Sequence, residues 1–104
     1  MKKLKKKEPT PSIIAIAWYW PEQWQELLHV SEDRDKIENT FEEWQELAEK
    51  RCIQLLNHGY APYKIDVDIN KLVEWCKNKG MKIDGEARAL YAAAQMQILF
   101  NKYH

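Results

Sequence analysis

Between Thr40 and Gly59 the chain carries apolar residues at the spacing of a single helix face. Phe41, Trp44, Ala48, Cys52 and Leu55 recur at intervals of three and four, and Leu47 and Leu56 widen the stripe. The opposite side holds Glu42, Glu43, Glu46, Glu49 and Lys50. Thr40 followed by Glu43 is the signature of a capped helix start, and Gly59 suits a helix end where positive φ is needed. This predicts a helix of about five turns. Such a stripe has to be buried against other parts of the chain, so the remaining segments are constrained to pack around it.

Ile13 to Tyr19 reads as a short strand, with Ile14, Ile16 and Trp18 on one face and Ile13, Ala15, Ala17 and Tyr19 on the other. Both faces are apolar, which demands cover on both sides. Pro21 opens a short helix ending near Val30 or Ser31, with Trp20, Trp24, Leu27 and Leu28 on its buried side. Glu32 to Asn39 is a charged loop or an irregular lead-in turn anchored by Ile37. After the central helix, Tyr60 to Val67 reads as an edge strand, because Pro62 interrupts it early and Lys64 and Asp66 alternate with inward Tyr63, Ile65 and Val67.

Asp68 caps a helix over Ile69 to Asn78, whose stripe is Ile69, Leu72, Val73 and Cys76 with Trp75 beside it, and Gly80 ends it. Asp84 caps the last helix, Gly85 to Asn101. That helix carries two stripes: Ala87, Leu90, Tyr91, Ala94 and Ile98 toward the core, and Ala89, Ala93, Met96 and Phe100 roughly opposite. A helix apolar on two sides is sandwiched or meets another subunit. The expected fold is α+β, in the order β-α-α-β-α-α, with a two-stranded sheet packed by about four helices. Trp-Gln-Glu-Leu occurs at 24–27 and again at 44–47, too little to establish a duplication.

A chain of 104 residues supports one domain, and 45% apolar residues with three glycines indicate a globular one. The formal charge of zero hides an asymmetry. Lys2, Lys3, Lys5, Lys6 and Lys7 crowd the N-terminus, whereas from Ser12 onward eleven Lys or Arg stand against fifteen Asp or Glu. Residues 1–12, with Pro9 and Pro11, are expected to form a disordered basic leader, and residues 13–104 the α+β domain. A polybasic leader attracts nucleic acid or an anionic surface. It lacks interleaved aromatics, and the acidic body offers no basic patch to extend it.

No stretch is long and apolar enough to span a membrane, and Ile13 to Ala17 is too short for a secretory signal, so a cytoplasmic location is expected. Cys52 and Cys76 fall on apolar helix faces and are expected as reduced, buried thiols.

Several chemistries are excluded. The cysteines are twenty-four residues apart and His29, His58 and His104 are scattered, so no metal-ligand spacing exists and no cofactor is expected. There is no glycine-rich phosphate loop and no Gly-x-Ser-x-Gly elbow. Cys52 and His58 lie six apart, on opposite sides of one helix, which does not make a nucleophile and its base. The acidic run from Glu32 to Glu46 lacks the calcium-loop pattern and reads as a solvated face.

The residues Ala17-Trp18-Tyr19, Pro21-Glu22, Trp24, Asp33, Asp35, Thr40-Phe41-Glu42-Glu43-Trp44, Asp66-Val67-Asp68, Trp75-Cys76, Gly80, Asp84-Gly85, Ala87-Arg88 and Tyr91 form a pattern. It resembles that of a family of small bacterial proteins with no assigned function, and covers most of Ile14 to Ala94. The resemblance implies a compact, single, intracellular domain and brings no activity, cofactor or catalytic residue.

Three functions follow from the residues. The first is a non-enzymatic interaction or structural domain acting as a homodimer, through the first strand or through the Ala89, Ala93, Met96 and Phe100 stripe. The second is a small-molecule site or weak enzyme at the aromatic cluster of Trp18, Tyr19, Trp20 and Trp24, with Glu22 beside it and Arg88 or Tyr91 facing it. The third is weak, nonspecific nucleic-acid binding through the lysine leader.

Overall fold

Where the apolar pattern alternates the chain forms strands, and where it repeats every three or four residues it forms helices. The computed structural model describes residues 12–102. Strand β1 is Ser12–Trp18, and a 3-10 turn over Pro21–Gln23 leads into helix α1, Trp24–Val30. A second 3-10 turn, Arg34–Lys36, precedes α2, Phe41–Asn57. Strand β2, Tyr60–Asp66, is followed by α3, Ile69–Lys79, and α4, Gly85–Lys102. The result is a single α+β domain of four α-helices and a two-stranded parallel sheet. The two 3-10 turns add detail that the simple element order lacked. The leader expected over residues 1–12 lies outside the described residues except for Ser12, which belongs to β1 instead.

The helix ends follow from local chemistry. Thr40 Oγ1 accepts from the Glu43 amide at 3.1 Å, Asp68 Oδ1 from Lys71 at 3.1 Å, and Asp84 Oδ1 from Ala87 at 3.0 Å. Each satisfies an amide that the first helical turn leaves without a partner. Gly80 closes α3 at φ 67°, a left-handed conformation that a side chain would strain.

Residues 12–18 of β1 pair in register with residues 60–66 of β2, so Ile14 lies beside Pro62, Ile16 beside Lys64 and Trp18 beside Asp66. Helix α2 covers the even-numbered face: Trp18 packs edge-on against Trp44, and Lys64 reaches Glu49 at 3.2 Å. Helix α2 lies over β2, whereas α4 covers the other face and lies mainly over β1. The core joins Tyr19, Trp24, Leu27, Leu28, Phe41, Val67, Ile69, Leu72, Cys76, Ala87 and Tyr91. Both cysteines are free and buried.

Several expectations about faces are corrected. In α4, Leu90 and Ile98 are 45% and 58% exposed, while Ala92, outside the expected stripe, is fully buried. α4 is wedged between α3 and the sheet, so its buried line runs through Ala87, Tyr91 and Ala92 and leaves Leu90 outside. Met96 and Phe100 are half-buried rather than free, since Phe100 meets Tyr63 edge-on at 5.4 Å. Tyr63 was expected to face inward, but it is largely exposed at the rim. Leu47 and Leu56 are more than half exposed, because α2 sits on a sheet only two strands wide and cannot bury its whole stripe. Lys64 does not point away from the structure, since its ammonium lies 4.0 Å from the centre of the Trp18 ring.

Candidate functional site

A two-stranded sheet has two outer edges, and here they differ. The Val67 amide donates to the Trp18 carbonyl at 3.1 Å. In a parallel pair alternate residues turn their peptide groups toward the neighbour. Ile14, Ile16 and Trp18 therefore face β2, and Ile13, Ala15 and Ala17 turn their N–H and C=O groups outward. On β2 the outward groups belong to Pro62, Lys64 and Asp66 by the same parity. Proline has no N–H to offer, and charged side chains discourage a further strand, so the β2 edge is blocked. The β1 edge has no proline and no charge between Ser12 and Trp18. Among the described residues no strand pairs with it.

Two concavities flank this open edge, one on each face of the sheet, and both have Ile16, Ala17, Glu38 and Trp44 in their walls. The one toward α4, of 270 Å³, adds Ala15, Tyr19, Trp24, Arg88 and Ala89. The one toward α2, of 420 Å³, adds Leu47, Ala48, Lys50, Arg51 and Gln54. The floor between them is aromatic: Trp44 meets Trp18 at 4.9 Å, Tyr19 at 5.1 Å, Phe41 at 5.5 Å and Trp24 at 5.7 Å between ring centres. Rings at these separations and tilts attract through their quadrupoles as well as by area.

Arg88 closes the inner end of the smaller concavity, and its charge is already spoken for. Nη1 donates to Asp33 Oδ1 at 2.9 Å and to Ser31 Oγ at 3.2 Å, and Nη2 donates to Asp33 Oδ2 at 2.8 Å. The hydrogen bonds from Arg88 hold the Asp33 carboxyl below the usual carboxylate value, against the opposing effect of burial. Burial alone would lower Arg88, but the hydrogen bond to Asp33 and the charges of Asp33 and Asp84 oppose it, and the net shift is upward. Burial pushes the Tyr19 phenol up to about 12, with Arg88 pulling it down and Asp33 adding to the rise. Tyr19 is therefore a neutral phenol at physiological pH.

The residues expected to form a ligand site are not all gathered in one place. Of them, Tyr19, Trp24 and Arg88 line the 270 Å³ concavity. Trp18 is buried beneath Lys64 on the other face of the sheet. Trp20 is 46% exposed and donates its Nε1–H to Asp66 at 3.1 Å. Glu22 is exposed on the 3-10 turn, and Tyr91 is buried against Trp75. Of the four residues expected at an interface, Ala89 lines the edge concavity and Ala93, one turn on, is exposed. Sequence reasoning missed Glu38 and Trp44 as wall residues, because both reach the site from elements distant in sequence from the cluster.

Among the described residues no group of three or more His, Cys, Asp or Glu is placed to hold a metal ion, and no helix is long and apolar enough to cross a membrane. Neither concavity is lined by a serine, threonine, cysteine or histidine among the described residues. What the arrangement offers is backbone donors and acceptors on an apolar, aromatic-floored edge. No family model, no curated protein and no solved structure matches this chain.

Proposed function

We propose that the chain is a non-enzymatic, cytoplasmic interaction domain that works as a homodimer. One observation carries this reading: the sheet has one edge blocked by Pro62, Lys64 and Asp66, and another that carries no charge or proline along β1 and lies between two concavities that share Ile16, Ala17 and Trp44. Unpaired peptide groups beside apolar surface favour a further strand, which satisfies the first and buries the second. Exposed Ile13, Leu47 and Leu90 add apolar area that association would cover. Light scattering at tens of micromolar tests it. A particle of twice the chain mass is expected, and a monomer under those conditions removes the proposal.

A second reading rests on a different observation, the 270 Å³ concavity walled by Tyr19, Trp24 and Trp44. Its size is near the lower bound for small-molecule sites, and its aromatic walls suit a flat apolar ligand. Quenching or shift of tryptophan fluorescence by a panel of small aromatic compounds, lost in Trp24→Leu, supports this reading. A flat response across the panel removes it. Nucleic-acid binding through Lys2 to Lys7 concerns residues outside those described; binding that weakens steeply with salt and vanishes on their deletion is its check.

A further inference from the structure

We infer that the end of the domain where both strands begin docks on an anionic phospholipid bilayer, together with the lysine-rich residues that lead into it. Docking of this kind does not depend on the self-association proposed above.

Ser12 pairs with Tyr60, so the two strands start side by side. Helix α2 finishes at that end: Trp44 packs against Trp18, Glu49 reaches Lys64, and Ile53 and Leu56 lie beside Pro62 and Tyr63. Helix α4 finishes toward it as well, since Gly85 and Arg88 stand near Tyr19 while Phe100 meets Tyr63. Among the described residues ten large apolar side chains are 37% exposed or more. Six of them, Ile53, Leu56, Tyr60, Tyr63, Ile98 and Leu99, belong to these converging segments. Exposed apolar surface gathered in one place marks a contact surface.

Charge identifies the partner. All fifteen acids from Ser12 onward fall within residues 22–49 and 66–86, the chain that follows the far ends of the strands. Residues 50–65 and 87–104 hold no acid. Their bases include Arg51 and Lys102, both exposed and in no ion pair among the described residues. Glu49, the last acid along α2, is held by Lys64 at 3.2 Å. The acidity of the body as a whole is therefore confined away from this end. Lys2, Lys3, Lys5, Lys6 and Lys7, against Glu8 alone, join the domain at Ser12, within at most about 35 Å of chain. Five lysines and an acid-free apolar end thus share one surface, and their partner has to be negative outside and apolar within.

A bilayer fits that description better than a nucleic acid. Anionic headgroups attract lysine and arginine, and the acyl region takes up aliphatic side chains. Tyr60 and Tyr63 suit the boundary between the two, each with a polar hydroxyl on an apolar ring. Ile53, Leu56, Ile98 and Leu99 offer no ring on which a base could stack.

The test is flotation of the full-length protein with lipid vesicles at about 0.1 M salt. One set is phosphatidylcholine alone, and the other contains about one-third phosphatidylserine. The wild type is compared with three variants, each checked for its fold by circular dichroism. The first combines Lys2→Gln, Lys3→Gln, Lys5→Gln, Lys6→Gln and Lys7→Gln. The second combines Ile53→Gln with Leu56→Gln. The third is Leu90→Gln, at an exposed leucine in the first half of α4, away from this end. The wild type is expected to float with the phosphatidylserine vesicles and not with phosphatidylcholine alone. Its partition coefficient should fall by about a hundredfold or more in the lysine variant and by about tenfold in the Ile53 and Leu56 variant. Leu90→Gln should float like the wild type. Should the Ile53 and Leu56 variant unfold, Arg51→Glu on the same helix decides the matter, with a fall of about tenfold or more expected. A wild type that does not float overturns the docking. An Ile53 and Leu56 variant that floats like the wild type, or a Leu90→Gln loss as large, overturns the assignment of this end. Binding to a duplex oligonucleotide that exceeds vesicle binding and ignores Ile53→Gln and Leu56→Gln overturns it in favour of nucleic acid.

Discussion

Asp33 and Arg88, fifty-five residues apart, form a two-pronged ion pair at 2.8 and 2.9 Å that ties the loop after α1 to the first turn of α4. Asp33 Oδ2 also accepts from the Gly85 amide at 3.0 Å, so one carboxylate caps the helix and neutralises the arginine on it. Both side chains are largely shielded from water. Such a pair contributes little if both partners are replaced together, but losing one strands the other's charge.

Asp33→Asn is accordingly expected to destabilise the domain by about 3 kcal/mol, measured by urea unfolding. Its pH signature is equally specific. The folded-state value of Asp33 lies below the unfolded one, so the pair's contribution is full above about pH 4 and is lost as pH falls through the folded value. Wild-type stability should fall more steeply than that of Asp33→Asn under acid conditions. Parallel pH profiles would show that the carboxylate is not held this way.

Trp44 touches four other aromatic rings and separates the two concavities at the sheet edge. Trp44→Ala should cost about 3 kcal/mol, since truncation opens a void that rigid neighbouring rings cannot fill. A loss under about 1 kcal/mol in a urea titration would mean that the cluster collapses freely.

Gly80 adopts φ 67° with nothing within 4 Å of where a Cβ would sit. Backbone strain alone then opposes a side chain, and Gly80→Ala should destabilise by about 1 kcal/mol, seen as a lowered Tm. An unchanged Tm contradicts the left-handed end of α3.

Burial raises the thiol pKa of both Cys52 and Cys76, with Lys64 opposing the shift at Cys52 and Asp84 adding to it at Cys76. The reactive thiolate is therefore scarce at neutral pH as well as shielded. Labelling by a colourimetric disulfide reagent should be slow in the native protein and rapid in denaturant. Cys76, the more deeply buried, should react last. Fast native labelling of Cys76 would contradict its place in the core.

Much of the fold was legible because its signals are local. Thr40 and Asp68 cap the helices they were expected to cap, and Gly80 ends α3. The aromatic site was less legible. Trp18, Trp20 and Trp24 are close in sequence, but a strand, an extended corner and a helix send them in three directions. Trp18 goes beneath Lys64, Trp20 out to Asp66 and Trp24 into the core. Periodicity says that a residue is on an apolar face, not which neighbour it meets there.

The amino-acid order by itself determined where helices and strands begin and end, because caps, prolines and three-four spacing act within a turn or two of chain. Only the tertiary structure decided that the strands run parallel, that Ala92 rather than Leu90 is buried, and that Arg88 meets Asp33. Those outcomes depend on how rigid elements distant in sequence fit against each other, and a sheet two strands wide leaves part of every apolar stripe beyond its reach.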